Sequence, residues 1–402
     1  MHTPDKAWQT ILDHTSPLAP APRALAAALN HVLAEPIRAD RDLPPANRSA
    51  MDGYAVRAAD LRQCPVVLRL VGEVAAGSAA RPPVRPGTCV RVLTGGNVPP
   101  GADSVVIQEE AEEANGQVRI LAPTARGANM HRRGEQARRG AILIRKGALL
   151  DAARTGVAAA VGQTLPQVHR RPRVTVLCTG AELRAPGQRV RPHQLRNSNG
   201  PALCAALAPW HDGPVTYRSL PDNAIAIATA LKRAARNHDV ILVTGGMSVG
   251  KYDLAREAIE RAGAVVRLHG GAIKPGKPFL YATLGEDRHI FGMPGNPLGA
   301  LTGLHEFVLP ALRRLSGVHP RECRPALWLP LGAALSTKGG RVHCMLARLR
   351  LTARGPDVLP VAARSSADFV AAGRADGVVI VPPGVRIGRG ALVEFRPWRP
   401  LP

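Results

Sequence analysis

Aromatic side chains are scarce in this chain: Phe, Trp and Tyr together make up 3% of its 402 residues. Cores must therefore be assembled mainly from Ala, Val and Leu, and there are too few rings for a base-stacking platform on single-stranded nucleic acid. Cysteine is also scarce. Six residues, at 64, 89, 178, 204, 323 and 344, are scattered with no C-x-x-C pair. That argues against a zinc knuckle or a disulfide scaffold, and Cys178 in "VTVLC" reads as a reduced core residue. No apolar run reaches 18 residues, so no membrane span is expected. The start, "MHTPDKAWQTILDHTSPLAP", lacks the charged-then-apolar texture of a secretory leader, and a cytoplasmic location is expected. The shortage of lysine is the most informative. Of 53 basic residues only seven are lysine, and two of those lie three positions apart in "GAIKPGKPF", residues 271–279.

A chain of this length is expected to form two to four domains. Its 40 glycines and 37 prolines are spread over many separate turns, so the pattern is one of many loops and not of disorder. The net charge of +23 is compatible with nucleic-acid binding. The arginines are dispersed, however, and no basic stripe is interleaved with aromatics. The charge is expected to favour small anionic ligands, and no specific nucleic-acid partner is expected.

Residues 7–38 read as helical, with "PRALAAALNHVLAEPI" giving an Ala/Leu face ended by Pro36. From 39 to 127 short β-like runs such as "VVLRLVGEV" and "GTCVRVLTGG" alternate with Gly/Pro turns, which predicts a small barrel-like β unit. Residues 134–170 read as helical again. Beyond Pro172 the texture changes. "RVTVLCTG", "HDVILVTGGMSVG" and "RHIFGMPGNP" are apolar runs, each with a glycine turn, separated by helical segments. That is the pattern of a doubly wound, mostly parallel α/β sheet covered on both faces. Pro297 suits the first turn of the helix that follows, and 319–402 return to short β runs.

In an open parallel sheet, ligands bind outside the carboxyl ends of the strands. The turns "CTGAE", "TGGMSVGKYD" and "GMPGNP" fall there, and "IKPGKP" is expected to join them. Glycine lets backbone N–H groups approach a phosphate closely. The candidate ligand-binding residues are Thr179, Gly180, Gly245, Gly246, Ser248, Gly250, Pro275, Gly276, Pro294, Gly295, Asn296 and Pro297. The spacing is neither a dinucleotide-binding G-x-G-x-x-G nor a P-loop. The stiff Pro-Gly-Lys-Pro turn holds Lys274 and Lys277 near one point, and two compact ammonium groups suit a small, highly charged oxyanion. Four acids complete the set: Asp52 in "SAMDGYA", Glu182, Asp222 and Asp253. Structural readings stand beside the functional one, since Asp52 suits a hairpin turn and Asp222 or Asp253 a helix cap. Carboxylates near phosphate loops commonly hold Mg²⁺ or orient water.

The motifs "RSAMDGYAV", "VLTGGNVPPGADSVVIQEE", "RRGE", "TGAEL", "NSNG", "GGMSVGKYD", "IKPGKPF" and "GMPGNP" occur in that order. Together they resemble the molybdenum-insertion enzymes of molybdenum-cofactor biosynthesis, bacterial MoeA and its relatives, including the E domain of gephyrin. The likeness is strong over about residues 10–320 and weak beyond. It implies a homodimer of four-domain subunits: 1–38 with 134–170 as an elongated domain, 39–133 inserted in it, 171–318 as the molybdopterin-binding α/β domain, and 319–402 as a last β domain. The implied reaction joins molybdate to adenylated molybdopterin, with Mg²⁺, and releases AMP. Lys274 and Lys277 would neutralise molybdate, the glycine turns would bind phosphates, and Glu182, Asp222 and Asp253 would hold the metal. Asp52 and Thr94 would act from across the dimer. An adenylating enzyme and recipient molybdoenzymes are the implied partners.

The chain departs from the family pattern at four places. Gln136 follows "RRGE" where an acid is frequent, Ala181 replaces an acid in "TGAEL", and Asn197 replaces one before "SNG". Near Leu346 in "RVHCMLARL" an oxyanion-binding arginine is expected and not found. These losses leave open a second reading, a diverged carrier that binds the pterin without inserting metal.

Overall fold

The structure, a computed structural model, describes residues 1–247 and 253–399. Helix α1 (Pro4–Asp13) starts where Thr3 accepts a hydrogen bond from the Lys6 N–H at 3.3 Å, with proline in the first turn. It buries Ala7, Trp8 and Ile11. The expected helix through residue 38 does not form. A single 3₁₀ turn, Leu25–Ala27, is followed by extended chain. Asn30 takes φ 60°, and its N–H donates to the Leu150 carbonyl at 2.7 Å; Leu33 N–H donates to Ala148 at 2.9 Å. Backbone pairing with residues 148–150 and 167–169 replaces a helix too short to persist on propensity alone. For the same reason only α2 (Ala152–Ala160) is α-helical within 134–170.

The β-rich region carries β1 (Gly53–Val56), β2 (Val66–Val74), β3 (Thr88–Val92), β4 (Ser104–Ile107), β5 (Ala111–Ala114) and β6 (Gln117–Ile120). They form one six-stranded sheet in the order β4-β1-β3-β2-β6-β5. Small apolar cores lie under it, one around Leu68, Val106 and Val118, another around Val74, Val90 and Val105.

The central α/β region runs through β7 (Val174–Thr179), α3 (Asn199–Leu207), β8 (Thr216–Leu220), α4 (Ala224–Ala235), β9 (Val240–Thr244), α5 (Leu254–Arg261) and β10 (Val265–His269). It continues with β11 (Ile273–Lys274), β12 (Leu280–Leu284), β13 (Arg288–Met293), α6 (Pro297–Gly303) and α7 (Leu309–Leu315). The sheet order is β8-β7-β9-β13-β12-β10. The first four strands are parallel, and β12 and β10 close the far edge antiparallel. Every residue of β7 and β9 is buried. Alternate residues feed opposite faces: Val176 and Leu242 pack with Leu203 and Phe307, while Leu177 and Ile241 pack with Ile227 and Ile259.

The last region contains β14 (Leu327–Pro330), β15 (Val342–Thr352), β16 (Gly355–Pro360), α8 (Phe369–Gly373), β17 (Gly377–Val381) and β18 (Leu392–Pro397). Its sheet has the order β11-β15-β17-β18-β14, with β16 on β15. Strand β11 therefore leaves the α/β sequence to pair, in parallel, with the start of β15. Among the described residues no helix is long and apolar enough to cross a membrane, and all six cysteines are free.

A buried charge network joins the regions. Glu306 lies in a π-helical turn, Leu304–Val308, between α6 and α7. Its carboxylate meets Arg324 at 3.3 Å and also Arg396, while Arg324 reaches Asp5 at 3.0 Å. Removing one partner strands the others in a low-dielectric interior. Glu306→Ala is expected to lower the thermal unfolding midpoint, with a loss of about 3–5 kcal/mol; Glu306→Gln, which keeps an acceptor, should lose less.

Candidate functional site

The carboxyl ends of β7, β9 and β13 are in register, Cys178 beside Thr244 and Thr244 beside Met293. The turns after them consequently meet. Thr244 Oγ1 donates to the Pro294 carbonyl at 3.1 Å, and Asn199 Nδ2 donates to Thr244 Oγ1 at 3.0 Å and to the Gly295 carbonyl at 2.8 Å. Gly245 takes φ 95°, and a Cβ there would collide with the Thr179 carbonyl oxygen. Glycine is required at this contact because two backbones touch. The result is a cleft of about 820 Å³ lined by Thr179, Gly180, Gly245, Gly246, Gly295, Asn296 and Pro297. Asn197, Ser198 and Asn199 also line it. Sequence reasoning left Asn199 out of the site, although "NSNG" places more capping-type residues before α3 than one cap uses.

Two of the acids border this cleft. Asn223, not Asp222, caps α4: its Oδ1 accepts from the Ile225 and Ala226 N–H groups at 2.9 and 3.0 Å. Asp222 is thereby released to the cleft, where Oδ2 accepts from the Ala181 N–H at 2.8 Å. The Glu182 carboxylate folds over Gly180, 2.9–3.0 Å from where a Cβ would be. Asp253 behaves differently. It caps α5, accepting from the Arg256 N–H at 2.9 Å, is 7% exposed, and has Oδ2 3.1 Å from His269 Nε2. Of the expected metal set, Glu182 and Asp222 line the cleft, and Asp253, at the α5 cap, is not among its described lining residues. Among the described residues no three His, Cys, Asp or Glu side chains form a metal-binding group. Ser248 and Gly250 lie outside the described residues.

Lys274 and Lys277 lie in a second cavity, of about 620 Å³, together with Pro275, Gly276 and Pro294. The pairing of β11 with β15 sets Lys274 opposite His343. Arg341, Arg364, Thr302, Ser365 and Ser366 supply further polar walls, and among the described residues no carboxylate lines the cavity. Burial first, then the charges of Lys274 and Arg341, hold the His343 imidazole below its ordinary pKa. Asn296 lines both cavities and donates from Nδ2 to Ser366 Oγ at 3.0 Å, at the boundary between them. Leu346 is an apolar wall of this cavity, which Arg341 and Arg364 also line. Neither stood out in a chain with 46 arginines.

Asp52 and Thr94 are brought together but not to these cavities. Asp52 Oδ1 accepts from both the Thr94 N–H and its hydroxyl at 2.7 Å, which holds the carboxyl below its usual range. Thr94 lines a separate cavity of about 510 Å³ with Arg48, His131 and Gln136. The departures at 181 and 197 have local explanations. Asn197, 2% exposed, accepts from the Gly200 N–H at 2.9 Å, which asparagine does without burying a charge. Ala181 contributes a backbone N–H to Asp222, which any residue except proline supplies.

Gly245→Ala should add at least about 1–3 kcal/mol of backbone strain and push the β7 and β9 turns apart. The expected result is a folded protein by circular dichroism that no longer binds a phosphate-bearing ligand in calorimetry; unchanged binding would refute the close-approach argument.

Residues 2–162 match the MoeA N-terminal region (domains I and II), residues 175–314 a probable molybdopterin binding domain, and residues 329–398 the MoeA C-terminal region (domain IV). The molybdopterin molybdenumtransferase of Staphylococcus aureus is 30% identical over 388 residues, covering 95% of this chain and 91% of that protein. Its counterpart from Staphylococcus epidermidis is 30% identical over 367 residues, covering 89% and 86%. Crystal structures of the molybdopterin biosynthesis MoeA protein from Pyrococcus horikoshii superpose with TM-scores of 0.84 and 0.83 at 28% and 26% identity, over 99% and 98% of this chain. Motifs, architecture and whole-length similarity agree, and the chain belongs to the MoeA family of molybdopterin molybdenumtransferases.

Proposed function

We propose that this protein inserts molybdate into adenylated molybdopterin, forming molybdenum cofactor and releasing AMP. One observation carries the reading: two cavities of opposite character abut at Asn296. The glycine-turn cleft, bordered by Glu182 and Asp222, suits the pterin and adenylate phosphates through backbone N–H groups. The neighbouring pocket, with Lys274, Lys277, Arg341 and Arg364, suits a doubly charged oxyanion. Fixed cations in a walled pocket neutralise molybdate without reorganising, so that the dithiolene sulfurs can approach it from the cleft side.

Mg²⁺ fits a smaller donor set than the three acids first expected. Such ions commonly take one or two carboxylates plus substrate phosphates, and Glu182 and Asp222 flank the Thr179–Gly180 turn where those phosphates would sit. Bound there, Mg²⁺ would draw charge from the phosphates. Asp222 orients the Ala181 amide, Asn199 clamps the turns, and Asp253 secures α5.

A homodimer belongs to the same reading. Asp52 and Thr94 line neither cavity of their own chain, so they would complete the site of the other subunit. The division into 1–38 with 134–170, 39–133, 171–318 and 319–402 is part of this proposal, as are a cytoplasmic location, a donor enzyme that adenylates molybdopterin, and recipient molybdoenzymes. The carrier alternative loses force because Asn197 and Ala181 keep their local hydrogen bonds.

Purified protein, adenylated molybdopterin, Mg²⁺ and molybdate should give molybdate-dependent AMP release; pterin binding without AMP release would favour the carrier. Lys274→Ala or Lys277→Ala should raise the molybdate concentration for half-maximal rate about ten- to a hundredfold, the scale of one lost charge-assisted hydrogen bond. Pterin affinity should change little, and equal loss of both would refute the assignment. His343 provides a pH readout. Its pKa is lowered, so the ring is neutral at pH 7 and charges only on acidification. A bound dianion offsets Lys274 and Arg341, so molybdate should move the imidazole titration upward in NMR; an unmoved titration would place the anion elsewhere.

A further inference from the structure

The glycine-turn cleft presents an electrostatic difficulty. Among the described lining residues Glu182 and Asp222 are acidic, and Arg196 is the one cation. A substrate carrying phosphate charges meets these two carboxylates on entry wherever Mg²⁺ does not offset them, and cations near the mouth add to its attraction. The chain from Leu183 to His211 contains no Asp or Glu, yet it carries Arg184, Arg189, Arg191 and Arg196.

These arginines sit on a built element. After β7 the chain leaves the sheet and returns through a parallel pairing of Leu183–Arg184 with Leu195–Arg196. Leu195 N–H donates to the Glu182 carbonyl at 3.0 Å, and Asn197 N–H to Arg184 at 2.8 Å, so both ends are pinned at the cleft mouth. Two glutamines lock the turns between. Ala185 N–H donates to Gln188 Oε1 at 2.9 Å, and Arg191 N–H to Gln194 Oε1 at 3.1 Å. Arg189 and Arg191 are exposed and have no ion-pair partner among the described residues. Leu183, Leu195 and Arg196 themselves line the cleft.

We propose that the excursion 184–196 is an electrostatic capture element that steers the phosphate-bearing substrate into the glycine-turn cleft. The proposal rests on the adenylate reading of that cleft. Surface cations near a cleft mouth raise the encounter rate of an anion about tenfold or more, over a range set by the Debye length, roughly 10 Å at 0.1 M salt. They do so through charge, and without a fixed hydrogen-bond geometry.

The test compares AMP release by the full-length wild type, R189Q/R191Q and R189K/R191K at subsaturating adenylated molybdopterin across ionic strength. At low salt kcat/KM of the glutamine pair should fall about five- to tenfold; the deficit should close near 0.5 M salt, where screening is within about 4–5 Å. The lysine pair should behave as wild type. A glutamine pair with the wild-type rate and salt slope overturns the proposal, as does a loss that persists at high salt or that lysine fails to restore. If the wild type turns over and only the loop variants disagree, the cleft reading survives alone. If the wild type releases no AMP under any salt condition, both fall.

Discussion

Two residues of backbone hold the proposed site together. Ile273 and Lys274 pair in parallel with Val342 and His343, across the boundary between the α/β region and the last β region. Without that ladder the lysine turn would project from one sheet and Arg341 from another. With it, four cations converge on one cavity that no carboxylate among the described residues lines. The arrangement is costly in isolation, since like charges repel at short range, and His343 registers the field by its lowered pKa. A dianionic ligand relieves that repulsion, which is a physical reason for the pocket to bind one.

The other half of the site depends on close approach instead of charge. Gly245 lets the β9 turn touch the β7 turn, and Asn199 ties the end of β9, through Thr244, to the Gly295 turn with two hydrogen bonds. The surface this produces is lined by backbone and small side chains, as a phosphate requires. Asn296 belongs to both halves, and its hydrogen bond to Ser366 marks their boundary. The segment around Ser366 is in turn fixed by Asp368, whose carboxylate accepts from the Arg364 and Ala371 N–H groups. Chemistry between the cavities therefore depends on the two regions keeping their relative placement, and the Glu306 network joins the same two regions from behind.

Helix capping decided which acids are available. Asn223 and Asp253 occupy the caps of α4 and α5, and Asp222, one residue before a cap, is left facing the cleft. A one-residue difference in where a helix begins thus separates a structural carboxylate from a functional candidate. Composition cannot make that distinction, because asparagine and aspartate cap equally well.

The parallel sheet, its glycine turns and the rare paired lysines were legible from the sequence, because each rests on a local rule. β-Branched runs ending in glycine, and lysine in a stiff turn of an arginine-rich chain, retain their meaning wherever the chain goes. The stretch 14–38 was misread because its Ala/Leu spacing suits a helix, while residues about 130 positions away offered it strand pairing. Arg341 and Arg364 were invisible among 46 arginines until the fold set them beside Lys274. Local propensity and motif chemistry lie in the sequence itself. Which charges share a cavity, and which acid faces it, depends on long-range backbone pairing and helix register, and only the tertiary structure decides those.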